Sequence, residues 1–432
     1  MYNHFMNLLL ILSGKIVIFI SKILNLGNGS TWPGHIALNI DKNFIKNIIE
    51  KNKDLKIILI AGTNGKTTTG KLIQTILEGS GKRVFQNTAG ANLLNGVVSS
   101  LTKFSSISGK INFDYAIFEI DENTLPLILK NIKPEIIILI NLFRDQLDRY
   151  GEVNAISKKW KDALASLGSK TSLILNSDDP QIAYLGDAIK NEVKYFGVKG
   201  RKLQNTEHAS DSTYCPKCGN KLSYRTITFS HLGDWKCSKG ELKRPKTDLE
   251  NFEFYPLPGL YNKYNTNAAV LTARELGISN EKIKKALTSF QPAFGRQEII
   301  KYKNKKIQIF LSKNPASFNQ SLNIITELKA THLLIILNDR IPDGRDVSWI
   351  WDVDFEKYLE NSTEISVAGD RACDMALRLK YAGMDNFKTY ESLKIAVTEA
   401  LKGAHDNEIL YTLPTYSAML DLRKILTGKS IL

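Results

Sequence analysis

The sequence predicts an α/β protein: a mostly parallel sheet covered by helices on both faces, interrupted by a cysteine-bearing insertion and followed by a smaller α/β unit. Three observations carry that expectation. Short, continuous Ile/Leu/Val runs at residues 56–61, 114–120, 135–141, 172–176 and 193–196 alternate with amphipathic helical patterns, as strands buried on both faces of a parallel sheet do. A glycine turn, Ile60-Ala61-Gly62-Thr63-Asn64-Gly65-Lys66-Thr67-Thr68-Thr69, joins the first of these runs to a helix. A second series of runs, at residues 307–311, 333–338, 364–367 and 408–412, follows Phe294-Gly295-Arg296. At 432 residues the chain exceeds one ordinary core, and we expect a division into residues 1–50, 51–295 with an insertion at 202–250, and 296–432.

Residues 6–24 are rich in Leu and Ile but contain Lys15 and Lys22. The uncharged runs fall short of the roughly 18 to 20 residues of a membrane-spanning helix, and no small-residue cleavage site follows. The pattern predicts an amphipathic helix, either docked on the main domain or lying on the inner face of the cell membrane with its lysines toward the headgroups. Gly27, Gly29, Pro33 and Gly34 make residues 25–34 a turn-rich connection.

In the glycine turn, Gly62, Thr63, Asn64, Gly65 and Thr68 shape a cradle whose backbone N–H groups and helix N-terminus hold phosphate oxygens. Lys66 supplies a point charge and Thr67 a magnesium-ligating hydroxyl. Ile60 stands where the usual G-x-x-x-x-G-K-[ST] pattern has its first glycine, so this is a shorter form of the motif. The expected ligand is ATP with magnesium. Glu119 ends an apolar run at the carboxyl edge of the sheet, near where phosphates rest, and offers the oxygen a hard cation wants. Asp121 is the second choice.

Three of the four cysteines, Cys215, Cys218 and Cys237, fall in one stretch, which suits a reducing cytoplasm and a local metal site better than a disulfide scaffold. A zinc ribbon uses four thiolates, and Gly240 occupies the fourth place. His231 or His208 could complete a zinc set, or the ribbon folds without metal. No water-activating carboxylate pattern accompanies it, so zinc here is expected to be structural. Cys373 stands alone, and no nucleophilic Cys–His pair is evident. The net charge of +14 suits nucleic acid, an anionic membrane or phosphorylated substrates. Scattered lysines without interleaved aromatics argue against nucleic acid.

The short Gly-Thr-Asn-Gly-Lys-Thr turn resembles that of the Mur ligase superfamily, ATP-dependent enzymes that activate a carboxylate as an acyl phosphate and then form an amide. Other blocks follow in family order: Asn141 to Gly151, Asn176-Ser177-Asp178-Asp179-Pro180, the helix start from Leu260 to Ala269, and Gly295-Arg296-Gln297-Glu298. The resemblance implies a Mur ligase-like P-loop ATPase domain in which Glu119 binds magnesium, Asn265 lies on the adenine-contacting helix start and Arg296 lies near the ribose. Gln146 stands where the superfamily often has a histidine, which leaves the second magnesium ligand open.

Residues Ser312 to Gln320 resemble the substrate loop of the third Mur domain. The block from Asn338 to Glu356, with Gly369-Asp370-Arg371 and Leu413 to Met419, resembles the MurT family, the ligase subunits of bacterial lipid II isoglutaminyl synthase. That resemblance implies amidation of the D-isoglutamate α-carboxylate of lipid II to D-isoglutamine at the cytoplasmic membrane face. It also implies a heterodimer with a GatD-like glutaminase subunit that supplies ammonia. Asp352 is the residue expected to approach the partner's cysteine and histidine, with Asp346 and Asp354 as alternatives. Residues 1–50 are too few to form the domain that other Mur ligases use for UDP-linked precursors, as a lipid-linked substrate allows. The rival expectation is an amino-acid-adding ligase of the Mur or folylpolyglutamate type, against which the block around Asp352 argues.

Overall fold

The computed structural model describes residues 2–23, 31–87, 90–144, 153–187, 189–200, 211–293, 295–359, 363–403 and 408–428. Gln146, His208, Phe294 and the connection at 25–30 lie outside the described residues.

A first sheet contains β1 (Lys56–Ala61), β2 (Val84–Gln86), β3 (Tyr115–Ile120), β4 (Ile136–Leu139), β5 (Ser172–Asn176) and β6 (Val193–Phe196). Their order is β2-β3-β1-β4-β5-β6, and every pairing is parallel. Alternate residues of β1 enter two different cores: Ile58 and Ile60 pack with Leu72 and Ile73 of the helix Lys66–Gly79, whereas Ile57 and Leu59 join Val97 and Trp160 on the opposite face. That is the period-two consequence of a pleated strand covered on both sides. Because β3 and β4 flank β1, the carboxyl ends of the three strands are neighbours, and these ends carry the glycine turn, Glu119 and Asn141.

The cysteine segment forms an antiparallel hairpin of β7 (Leu222–Phe229) and β8 (Leu232–Cys237). It is knit into the first unit: Trp235 Nε1 donates to the Ser177 carbonyl at 3.0 Å, and Arg244 Nε donates to Asp178 Oδ1 at 2.7 Å.

A second sheet contains β9 (Arg296–Tyr302), β10 (Lys305–Phe310), β11 (His332–Ile336), β12 (Glu364–Ala368), β13 (Phe387–Thr389) and β14 (Ile409–Pro414), in the order β13-β12-β11-β14-β10-β9. Only β9 runs antiparallel to its neighbour.

At the amino end, the helices Tyr2–Ile23 and Trp32–Ile40 pack on the helix Leu94–Phe104. Leu10, Ile11 and Ala37 are buried there. One face of the first helix is therefore docked on the main domain. Among the described residues, no helix is long and apolar enough to cross a membrane.

Candidate functional site

The glycine turn leaves the carboxyl end of β1 and feeds the helix Lys66–Gly79. Gly65 has φ +92°, in the region only glycine adopts freely, and a Cβ there would collide with Asn265 Oδ1. The helix Leu260–Glu275, which carries Asn265, thus presses directly on the turn. Asn141 clasps it from the other side: its Oδ1 accepts the Asn64 N–H at 2.9 Å and its Nδ2 donates to the Asn64 carbonyl at 3.0 Å. Thr63 Oγ1 accepts the Phe143 N–H at 3.0 Å. Two neighbouring strand ends and one helix therefore hold the cradle in shape before any phosphate arrives.

Lys66 Nζ donates to the carbonyls of Gly62 and Thr63, the latter at 3.3 Å, and lies 3.8 Å from Glu122. Thr67 Oγ1 donates to Glu119 Oε2 at 2.6 Å. Glu119 is buried, and desolvation raises its pKa against the opposing pull of Thr67, Lys66 and Arg296. Burial likewise lowers the pKa of the enclosed Arg296 guanidinium. A carboxylate short of compensating charge, bonded to a threonine hydroxyl, is a donor set that a hard cation takes. Thr67 and Glu119 therefore fit magnesium. Asp121 caps a turn, accepting the Asn123 N–H at 3.0 Å, and does not line the cavity.

The cradle residues from Thr63 to Thr68 line one cavity together with Glu119, Asn265 and Arg296, while Gly62 shapes the turn behind it. The opposite wall comes from the C-terminal unit through Lys313, Ser317, Gln320 and Tyr416. Asn64 and Asn314 exchange side-chain hydrogen bonds at 3.3 and 3.2 Å, tying the glycine turn to the second unit. Asn314 can do this because it caps the helix Pro315–Glu327 in a reciprocal capping box with Ser317.

Some lining residues were given no role by the sequence. Phe229 and Leu232, from the cysteine hairpin, form an apolar wall; Phe229 stacks on Phe143 with centroids 5.9 Å apart and meets Tyr264 edge-on at 5.7 Å. Gln297 adopts φ +59° and its Nε2 donates to Tyr261 Oη at 2.7 Å. A non-glycine residue in that region stores strain, here at the start of β9 where the two units join. Asp178 does not line the cavity; it accepts hydrogen bonds from Arg244, from Tyr264 Oη at 2.7 Å and from the Val198 N–H at 3.0 Å. Its work is to hold the hairpin and the helix Leu260–Glu275 behind that wall.

The three cysteine sulfurs lie within 4.8 Å of one another. Two thiolates bound to one tetrahedral zinc at about 2.3 Å each stand about 3.8 Å apart, and Cys218 and Cys237 Sγ are separated by 3.5 Å. Hydrogen bonds from Asn220 lower the Cys218 pKa to about 7, whereas burial raises that of Cys215. The set fits a zinc ion. His231 is not its fourth ligand, contrary to one expectation: its fully buried ring packs on Phe143 at 4.7 Å, its Nε2 lies 3.4 Å from Asp179 Oδ2, and its Nδ1 accepts the Asp211 N–H. The first knuckle closes from the Cys215 carbonyl to the Gly219 N–H and the second from the Cys237 carbonyl to the Gly240 N–H, so a glycine stands where the second knuckle would offer its thiolate.

Asp352 stands apart from the cavity, at the end of the 3-10 turn Ser348–Asp352, with Oδ2 3.4 Å from Arg144 Nη2. Its side chain is 40% exposed, and beside it the exposed Trp351 and Tyr381 rings meet edge-on at 5.5 Å. Asp354 is buried and accepts from Asn319 Nδ2 at 2.8 Å, so it is closed to another chain. Asp346 accepts the Ser348 N–H at 2.8 Å and supports the turn.

Residues 60–273 match the Mur ligase middle domain, and residues 311–419 match the MurT ligase C-terminal domain. The MurT subunit of the glutamine-hydrolysing lipid II isoglutaminyl synthase of Staphylococcus aureus is 34% identical over 375 residues, covering 83% of this chain and 84% of that one. The chain belongs to the MurT family. The Streptococcus pneumoniae MurT subunit is 33% identical over 429 residues, 94% of each chain. Solved structures of similar fold include a pseudomurein peptide ligase type C from Methanothermus fervidus, with TM-score 0.65 and 23% identity over 89% of this chain and 81% of that one. MurF from Thermotoga maritima, in complex with ADP, has TM-score 0.62 and 12% identity over 91% of this chain and 84% of that one. At those identities the likeness concerns the fold alone. The MurT-type block from Asn338 to Glu356 sits in the second unit, whose helix Pro315–Glu327 faces the glycine turn.

Proposed function

We infer that this chain is the ATP-dependent ligase subunit of a lipid II isoglutaminyl synthase. It converts the D-isoglutamate α-carboxylate of the lipid II stem peptide to D-isoglutamine, using ammonia released from glutamine by a GatD-like glutaminase partner. The observation that carries this reading is the convergence, in one cavity, of the phosphate cradle, the Thr67–Glu119 pair and the wall of a MurT-type C-terminal unit.

A carboxylate is a poor acyl donor, so its oxygen first attacks the γ-phosphorus of ATP, and ADP leaves. Ammonia then attacks the acyl carbon of the resulting acyl phosphate, forming the amide and releasing phosphate. The Lys66 ammonium offsets the charge on the transferring phosphoryl group. Thr67 and Glu119 would hold magnesium, which when bound adds to that neutralisation. Asn265 and Arg296 position the nucleoside side of ATP. Cys215, Cys218 and Cys237 would hold zinc as a structural staple of the hairpin that supplies Phe229 and Leu232.

Ammonia is almost fully protonated at neutral pH, which gives a glutaminase partner its purpose. Asp352 meets the partner's histidine, fixing its tautomer and stabilising its charged form; Asp354 is buried and the exposed Asp346 is engaged by the Ser348 N–H, whereas Asp352 adjoins the exposed Trp351, which with Tyr381 anchors the heterodimer interface. We propose domains at residues 1–50, 51–295 and 296–432, and a cytoplasmic enzyme working at the inner membrane face, where a lipid-linked substrate resides. Nucleic acid has no part in this reading. The test is mass spectrometry of lipid II incubated with the chain, ATP and magnesium. With an ammonium salt, one carboxyl becomes a carboxamide; with glutamine, conversion requires the partner. ATP turnover without conversion under either nitrogen source contradicts the reading and favours an amino-acid acceptor.

A further inference from the structure

The helix Tyr2–Ile23 buries one face and leaves a second apolar face uncovered. Leu9, Leu12, Ile16, Phe19 and Ile23 recur at spacings of three and four, which places them on one stripe; Phe19 is 64% and Ile23 61% exposed. Trp32, which opens the helix packed beside it, is 64% exposed. An apolar stripe of this length on an otherwise docked helix calls for an occupant.

The charge of this segment indicates which one. Residues 1–40 contain Lys15 and Lys22 and no aspartate or glutamate, so this face meets an anionic surface without repulsion. Lys15 and Lys103 adjoin one another along its flank, Lys15 Nζ donating to the Lys103 carbonyl at 3.3 Å. The helix is not long and apolar enough to cross a bilayer, and an amphiphilic surface bearing Trp and Phe suits the interface plane of one.

Its orientation also matters. Ile11 adjoins Gly109, and Gly14 packs on Thr102 and Pro33, so the first helix crosses the helix Leu94–Phe104 near its Phe104 end. Gly34 lies flush against Asn95, where a Cβ would strike the Asn95 carbonyl, and its N–H donates to Ser99 Oγ at 2.8 Å. Asn92 and Leu93, immediately before that helix, line the cavity. The helix Trp32–Ile40, which packs beside the first helix, is thus joined to the element that leads from the cavity rim.

We propose that the stripe formed by Leu9, Leu12, Ile16, Phe19 and Ile23, with Trp32, is a docking surface for an anionic lipid bilayer, which the chain engages flat and with the cavity rim held near the membrane plane. This deepens the reading of a lipid-linked substrate and rests on it. The face brings the reacting end of a membrane-anchored substrate to the Asn92–Leu93 edge without extracting its lipid.

Flotation of the full chain with phosphatidylglycerol-containing vesicles, compared with phosphatidylcholine-only vesicles, tests the proposal. The wild-type chain co-floats with the anionic vesicles, and the double variant Ile16→Glu/Phe19→Glu binds them at least about tenfold more weakly. Trp32→Ala weakens binding by a smaller factor. Both variants amidate detergent-dispersed lipid II at the wild-type rate. Absence of wild-type flotation, or equal flotation of wild type and the double variant, overturns the docking surface, and continued turnover in detergent would then leave the amidation reading standing. A wild-type dimer that the double variant converts to monomer would also overturn it, assigning the face to a second copy of the chain.

Discussion

Replacing Glu119 with Gln separates the cost of a buried carboxylate from its use. In the protein without metal, the carboxylate is enclosed and its pKa is raised by desolvation, despite the 2.6 Å bond from Thr67 and the charges of Lys66 and Arg296. A folded-state pKa above the unfolded value of about 4.3 means that the folded chain holds the proton more tightly. The associated stability is fully present below the unfolded pKa and is lost as pH rises through the folded pKa. Glu119→Gln keeps an acceptor for Thr67 and removes the ionisation. The metal-free variant should therefore melt higher than wild type near neutral pH, with the difference shrinking as pH falls toward the unfolded value. Magnesium and ATP should reverse the ranking. Saturating ligand at about 100 times its Kd stabilises the wild type by about 2.7 kcal/mol, and the variant, lacking the carboxylate ligand, gains much less. Turnover should fall by about 10²–10³, the scale set by losing one electrostatic contact to a transferring group. Thermal denaturation across pH with and without magnesium-ATP, paired with a phosphate-release assay, reads both arms. A metal-free variant that melts lower than wild type at pH 8, or that keeps full stabilisation by magnesium-ATP, would refute the argument.

Three further outcomes are expected. Asp352→Asn should lower glutamine-driven amidation by about 10³ or more while ammonium-driven amidation stays near wild type; equal loss in both assays would move Asp352 out of the partner's site. Purified protein should release one equivalent of zinc to a colorimetric chelator, and Cys237→Ser should release none; a zinc-free wild type that keeps its hairpin would make the ribbon metal-independent. Gly65→Ala forces a Cβ into Asn265 and a strained φ, which costs about 1–3 kcal/mol for the backbone alone, so ATP affinity measured by calorimetry should drop by about tenfold or more.

The legibility of this chain follows from the range over which its contacts act. β1 and β5 were readable to the residue because continuous Ile/Leu runs mark strands buried on both faces. β2 and β13, three residues each, are too short to show a period. β9 was missed because it is a largely polar edge strand in which Gln297 alone is buried and the rest are half-buried or exposed. The turn from Gly62 to Thr68 and Glu119 were legible because their chemistry is local to strand ends. The bond between Asn64 and Asn314 joins residues 250 positions apart, and no local pattern announces it. The polar, lysine-rich composition of residues 202–250 read as a separate insertion, and Ser223, Arg225 and Lys236 do face solvent. The opposite side of the same hairpin buries Phe229, Leu232 and Trp235, which is why part of the cavity wall went unforeseen. The segment at residues 6–24 was expected to be an amphipathic helix; the helix Tyr2–Ile23 instead carries apolar residues on both its docked and its exposed face, and composition alone could not say which of them the main domain would cover.

The central claim is that this chain activates a lipid II carboxylate through phosphoryl transfer and then amidates it. Lipid II carrying ¹⁸O in the D-isoglutamate α-carboxylate, incubated with the chain, magnesium-ATP and an ammonium salt, tests this most directly. The account predicts a carboxamide that has lost one labelled oxygen, with that oxygen recovered in inorganic phosphate. Label retained in full by the lipid, with unlabelled phosphate released from ATP, would contradict it.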